Sequence, residues 1–174
     1  MLKMPKIIVI NTSPLIAIIA GLGDLSILRK VYKNVVVPYE VSQEILAKGQ
    51  NLFGAKIFSL DSWLDKREKT IQIEPFLNNS LDKGEASVIQ TAINEGIETV
   101  CIDEVAGRRI ARLNNLKLTG SLGIIIAAIR KGEKIDIKNV INNMRINGVW
   151  ISKKLEAKAI ELVNKQYGYK VSSA

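Results

Sequence analysis

Three acidic residues and one asparagine stand where four separate chain segments could deliver them to one crevice. They are Asn11 in IIVINTSPLI, Glu44 in VPYEVSQEIL, Glu85 in LDKGEASVI and Asp103 in TVCIDE. Oxygen side chains of this kind are ligands for a hard divalent cation, and a carboxylate-bound cation suits the hydrolysis of phosphodiesters. The chain has 0 histidines, which removes the usual general base and the commonest transition-metal ligand. Each residue also has a plainer reading. Asn11 can bond backbone in a strand-to-helix turn. Glu44 borders the apolar stripe of Val41, Ile45 and Leu46 and can be a boundary residue. Glu85 lies three residues after Asp82, the spacing of a capping box. Asp103 can cap the helix that follows it. Each signal is weak alone; together, four independent elements each offer one oxygen ligand.

The elements that must position these residues alternate between strand and helix. Lys6–Ile10 is a continuous β-branched run, as in a buried parallel strand. Thr12 or Ser13 then caps a helix with Pro14 in its first turn, broken by Gly21 and Gly23. Asp24 caps a short helix over Leu25–Lys30. Asn34–Val37 is a second strand, and Pro38 opens a helix to Lys48, stopped by Gly49. Trp63 and Leu64 anchor a turn, and the alternating Thr70–Glu74 reads as an edge strand ended by Pro75. A helix with Ala86, Ile89 and Ile93 on one face leads to a buried strand at Thr99–Ile102. The spacing then predicts a helix over Glu104–Asn114, a short strand at Lys117–Thr119 and a helix over Ser121–Arg130. Ile137, Val140, Ile141 and Met144 repeat at helical spacing, with Gly148 as the break. Ser152 caps a last helix with Leu155, Ala159, Leu162 and Val163 on its apolar face. This βα alternation predicts an α/β fold, a parallel sheet with helices on both faces, with residues 136–168 as a helical hairpin packed at the sheet edge. Asn11 and Asp103 each close a buried strand, at the carboxyl edge where open α/β sheets bind ligands.

Composition narrows the class. The chain has 174 residues, 47% of them hydrophobic, which fits one globular domain over residues 1–174. Cys101 cannot form an internal disulfide and reads as a core residue of a reducing compartment. No apolar run nears the roughly 18 residues of a membrane span, and the start goes straight into a strand without a signal peptide. The expected location is the cytoplasm. Residues 1–107 hold 11 Lys+Arg against 13 Asp+Glu, whereas residues 108–174 hold 14 against 4. A basic half beside a carboxylate cluster suits a polyanion held by one region and cut by the other, although lysine-rich solvated helices give the same count. Arg108, Arg109 and Arg112 follow Asp103, and Arg108 and Arg112 share a helix face. They read as a phosphate clamp or as surface charge. With few aromatic residues, base stacking is not signalled.

Five ordered motifs carry a resemblance over nearly the whole chain. NTSPLI stands at Asn11–Ile16, VP at Val37–Pro38 with Glu44 in the next helix, and GEA at Gly84–Ala86. IDE with GRR stands at Ile102–Glu104 and Gly107–Arg109, and a TGSLG turn at Thr119–Gly123. In these the chain resembles PIN-domain proteins, within them the VapC-like group, and most of all a subgroup long described only as of unknown function. The resemblance implies a three-layer α/β/α fold with a five-stranded parallel sheet in order 3-2-1-4-5. It implies a Mg²⁺- or Mn²⁺-dependent endoribonuclease, often the toxin of a toxin–antitoxin pair. The expected partners are an RNA substrate, a cognate antitoxin and a second copy in a homodimer, with no membrane. By position Asn11 falls where most relatives have aspartate, Glu44 matches the helix glutamate, Glu85 the third acid and Asp103 the fourth, as catalytic residues and metal ligands. Thr12, Ser13 and Ser121 would position a metal-bound water or simply cap helices. Asn11 is the departure: it leaves three formal negative charges instead of four. Two other readings stand beside the nuclease. One is a PIN-like module that binds RNA or protein without cleaving. The other is an unrelated nucleotide-binding α/β domain, disfavoured because no Gly-x-Gly-x-x-Gly or Walker pattern follows any strand.

Overall fold

Short β-branched runs build the centre of the molecule. The computed structural model describes residues 7–47 and 53–168. Its strands are β1 (Ile7–Ile10), β2 (Asn34–Val37), β3 (Asp65–Lys66), β4 (Thr99–Cys101) and β5 (Lys117–Thr119). They form one five-stranded sheet in the order β3-β2-β1-β4-β5, and every pairing is parallel. Ile8, Val9, Ile10, Val35, Val36, Val37, Val100 and Cys101 are all buried, as central strands covered on both faces require. The expected strand order and fold class are both present. The expected start of β1 at Lys6 and the helix stop at Lys48–Gly49 lie outside the described residues.

Helices flank this sheet. The first half carries α1 (Thr12–Leu22), α2 (Ser26–Val31), α3 (Tyr39–Ala47), α4 (Phe53–Leu60) and α5 (Pro75–Ser80). The second half carries α6 (Lys83–Glu95), α7 (Val105–Leu113), α8 (Ser121–Arg130), α9 (Ile137–Ile146) and α10 (Lys153–Gly168). Helix α6 lies along β1 and β4 and touches α7, α1 packs on α8 and α9, and α3 touches both α1 and α6. The last contact matters for function, because it brings α3 and α6 together beside the end of β1.

Four expectations change. The edge strand is Asp65–Lys66, paired with Val36–Val37, not Thr70–Glu74. That segment keeps its in–out alternation without strand pairing: Ile71 N–H donates to Glu40 and Glu74 N–H to Gln90, side chains instead of a neighbouring strand. Pro75 begins a helix, α5, at the position where its missing N–H costs nothing. Gly21 does not break α1 but lies inside it, where a Cβ would come within 2.7 Å of Val140 Cγ1 and 3.1 Å of Met144. That close approach lets α9 pack on α1. The break is Gly23, at φ 84°, a left-handed conformation natural to glycine. The hairpin α9–α10 accordingly packs on helices α1 and α8 and not at the sheet edge. Ile93 and Leu155, expected on buried faces, are each 45% exposed. No helix among the described residues is long and apolar enough to cross a membrane.

Candidate active site

The sheet order reverses between β1 and β4, so the connections leaving their carboxyl ends diverge and open a crevice. Asn11 leaves β1 there, and its N–H extends the ladder by donating to Cys101 O at 3.0 Å. Asn11 is the N-cap residue of α1 and makes no side-chain cap bond. Thr12 and Ser13 do not cap the helix either, because their hydroxyls cross the crevice. Thr12 Oγ1 donates to Glu44 Oε2 at 2.8 Å. Ser13 Oγ donates to Glu104 Oε1, and Asn11 Nδ2 reaches Glu104 Oε2 at 3.3 Å.

Glu44 enters from α3 and Glu85 from α6. Asp82 caps α6 as its spacing predicts, accepting Glu85 N–H at 2.8 Å. Glu85 does not return that bond: its side chain turns inward and is buried, and Oε1 has no hydrogen-bond partner. Buried Asn11 Oδ1 is without a partner as well. Burial, then the charges of Asp82 and Glu104, push the Glu85 carboxyl up to about 7, against a smaller pull downward from the Gly107 backbone.

Glycines make the convergence possible. A Cβ on Gly84 would lie 2.7 Å from Glu44 Oε2, 3.3 Å from Asn11 Oδ1 and 3.4 Å from Asp82 Oδ1. Oxygens from three elements thus surround one point. A Cβ on Gly107 would lie 2.5 Å from Glu85 Oε1. The glycines of GEA and GRR are therefore the places where helix backbone approaches an acid.

Asn11 and Glu44 are brought together over Gly84, and Glu85, the next residue of α6, lies with its Oε1 against Gly107. Asp103 reaches the same crevice edge, but its Oδ1 accepts Ser121 N–H at 2.9 Å, at the start of α8. It keeps an exposed flank, yet the protein crowding its carboxyl raises its pKa, which the Ser121 N–H and hydroxyl and Arg108 draw back. Ser121 thus holds Asp103. Sequence reasoning passed over Glu104 as a site residue. The available signal was its place at the N-cap of α7, where glutamate is not a favoured type and makes no cap bond here. The arginines divide. Arg108 Nη1 donates to Ile102 O at 2.8 Å and Thr119 O at 3.1 Å, so that nitrogen ties strand ends instead of reaching outward as a clamp. Arg109 and Arg112 are exposed.

The donor set fits a hard divalent cation: carboxylates and one amide oxygen, of which Asn11 Oδ1 and Glu85 Oε1 are buried and still without partners. Among the described residues, no three acidic side chains are already gathered as a metal cage. Hydroxyl and amide bonds to Glu44 and Glu104 hold those carboxylates, so closing on an ion means exchanging these bonds for coordination.

The sequence model of one protein family, described as a PIN domain, matches residues 7–165. The chain belongs to the PIN-domain family. No curated protein and no solved structure matches it significantly. PIN domains are generally nucleases that typically use divalent metal ions, so family membership suggests a nuclease-type function in general and a nucleic acid substrate.

Proposed function

We propose that this PIN domain is a Mg²⁺- or Mn²⁺-dependent endoribonuclease acting as the toxin of a toxin–antitoxin pair. The observation that carries the reading is the pair of buried, unpartnered oxygens, Asn11 Oδ1 and Glu85 Oε1, facing Glu44 and Glu104 across the crevice. An unpaired buried acceptor costs about 1–3 kcal/mol unless something binds it, and a cation or its water satisfies both. Asn11, Glu44, Glu85 and an acid from the end of β4, with Asp103 the sequence-based choice, would hold the ion. When bound, it lowers the pKa of a water and stabilises charge on the phosphodiester.

This chain's own residues do the remaining work. Glu85, whose carboxyl is raised to about 7 without a metal, would give up its proton as a cation binds beside it. Thr12 and Ser13 set the angles of Glu44 and Glu104. Arg109 and Arg112, which make no ion pair among the described residues, hold the RNA backbone. A cognate antitoxin, a homodimer, a cytoplasmic location and a single domain over the whole chain belong to the same proposal.

The test is cleavage of RNA by the purified chain with Mn²⁺ or Mg²⁺ against EDTA. Cleavage that needs the metal supports the reading. Metal-independent RNA binding without cleavage would replace it with a binding module. That second reading has one specific support: Asn11 is neutral, and its amide donates to an acid that a cation would need.

A further inference from the structure

We propose that the two adjacent acids after β4 divide the site between them: Glu104 is the cation-holding acid, and Asp103 is a positioning residue that, with Arg108, braces the strand ends against α8. This rests on the metal-dependent nuclease reading above, and it reassigns the fourth ligand position within it.

The Glu104 carboxylate lies inside the crevice. Both of its oxygens accept from the start of α1, one from Asn11 Nδ2 and one from Ser13 Oγ. It is half-buried, and its charge reaches Glu85. It is not needed by its own helix, since as N-cap of α7 it makes no cap bond. An acidic cluster alone would not mark a site, but here Asn11 Oδ1, on a residue 2% exposed, and Glu85 Oε1, on one 4% exposed, lie beside it without partners.

Asp103 faces elsewhere. The backbone at Glu104 is extended, at φ −71° and ψ 139°, and successive side chains of extended chain point apart. Asp103 Oδ1 takes the first N–H of α8. A Cβ on Gly120 would lie 2.5 Å from that same oxygen and 3.4 Å from Arg108 Nη1, so carboxylate and guanidinium both lie against the Gly120 backbone. The same Nη1 donates to Ile102 O and Thr119 O, just past β4 and at the end of β5. The Asp103 carboxylate holds the start of α8 and the Arg108 guanidinium holds the two strand-end carbonyls, which together fix the chain immediately before Glu104.

Mn²⁺ binding to the full chain, read from the EPR signal of free Mn²⁺, separates the two roles, with melting in EDTA beside it. Glu104→Gln should weaken Mn²⁺ binding by about 100-fold or more, with melting in EDTA unchanged or higher. Glu104→Asp should recover part of that affinity. Asp103→Asn keeps an oxygen for the Ser121 N–H, so it should cost less than about tenfold, the lower bound for supporting residues of a metal site. Asp103→Ala should lower the melting temperature and the cleavage rate, and Asp103→Asn should restore both in large part. Strong loss of Mn²⁺ in Asp103→Asn with retention in Glu104→Gln overturns the division and returns the ligand role to Asp103. Equal losses overturn it as well. If the unaltered chain binds no Mn²⁺, the nuclease reading itself falls, a result distinct from either outcome.

Discussion

The crevice at the strand ends and the α9–α10 hairpin are built from the same residue types with opposite habits. In the hairpin, polar groups are satisfied locally. Asp136 caps α9 by accepting from the N–H groups of Lys138 and Asn139, Ser152 Oγ accepts from Leu155 N–H, and Asn143 and Asn147 tie α9 to carbonyls of α1. In the crevice, the N-cap positions of α1 and α7 make no cap bond, and Glu85 leaves an acceptor bare. Local satisfaction stabilises a helix. Withheld satisfaction leaves donors and acceptors for something that is not part of the chain.

The largest expected break in this contrast is at Glu85. A carboxyl whose folded value is raised from 4.5 to about 7 binds its proton more tightly in the native state. In metal-free protein its stabilising effect is therefore complete below about pH 4.5 and lost as pH rises towards 7. At about 1.36 kcal/mol per unit, the swing is on the order of 3 kcal/mol. Glu85→Gln should abolish metal-dependent cleavage and flatten this loss, so that urea melts at pH 8 show the variant more stable than the parent. Parallel pH profiles for the two proteins would remove Glu85 as the strained acid.

Glycine substitutions sharpen the contrast next. Gly107→Ala and Gly21→Ala each force a Cβ into close contact, 2.5 Å from Glu85 Oε1 in the crevice and 2.7 Å from Val140 Cγ1 under the hairpin. Overpacking of this kind costs about 1–3 kcal/mol, so both should lower the melting temperature. Only Gly107→Ala should also weaken the stabilisation by Mn²⁺. A lost Mn²⁺ response in Gly21→Ala would mean that the hairpin and the crevice are coupled.

Legibility in the sequence followed the same divide. Buried runs such as IIVI and NVVV are short and β-branched, and their positions follow from pattern, whereas their order came from the resemblance to PIN domains. Helices α8 and α9 stand where apolar spacing puts them. Failures came where local pattern and tertiary pairing disagree. Asp65–Lys66 carries no apolar signal, yet it pairs with β2, while the strand-like Thr70–Glu74 is held by side chains. Gly21 looks like a helix break because a sequence does not show which helix will pack there. At the site, Asn11 stood out by its strand end, Glu44 by its place beside an apolar helix stripe and Glu85 by its helix start, and their roles remain part of the proposal. What Asp103 and Glu104 each bond was not readable, because adjacent residues of extended chain point apart and only packing shows that one meets Ser121 and the other Asn11 and Ser13.

Asn11→Asp tests the smallest difference and the most local one. The substitution replaces an N–H donor to Glu104 with a charged oxygen. In metal-free protein the lost bond and the like charges should lower the melting temperature. With Mn²⁺ present a charged ligand replaces a neutral one, and binding should tighten by about 1–2 kcal/mol. Because the ion binds the native state, that gain adds to folding free energy. Asn143→Asp in the hairpin is the matched control: it also loses an amide donor, here to Gly21 O, with no candidate ligand set around it. Melts of the parent and both variants, with and without Mn²⁺, should show a larger metal shift at position 11 and an unchanged one at position 143. Equal shifts in all three would remove Asn11 from the ligand set. No shift in any of them would favour the non-cleaving module, in which the Asn11–Glu104 bond is a structural contact.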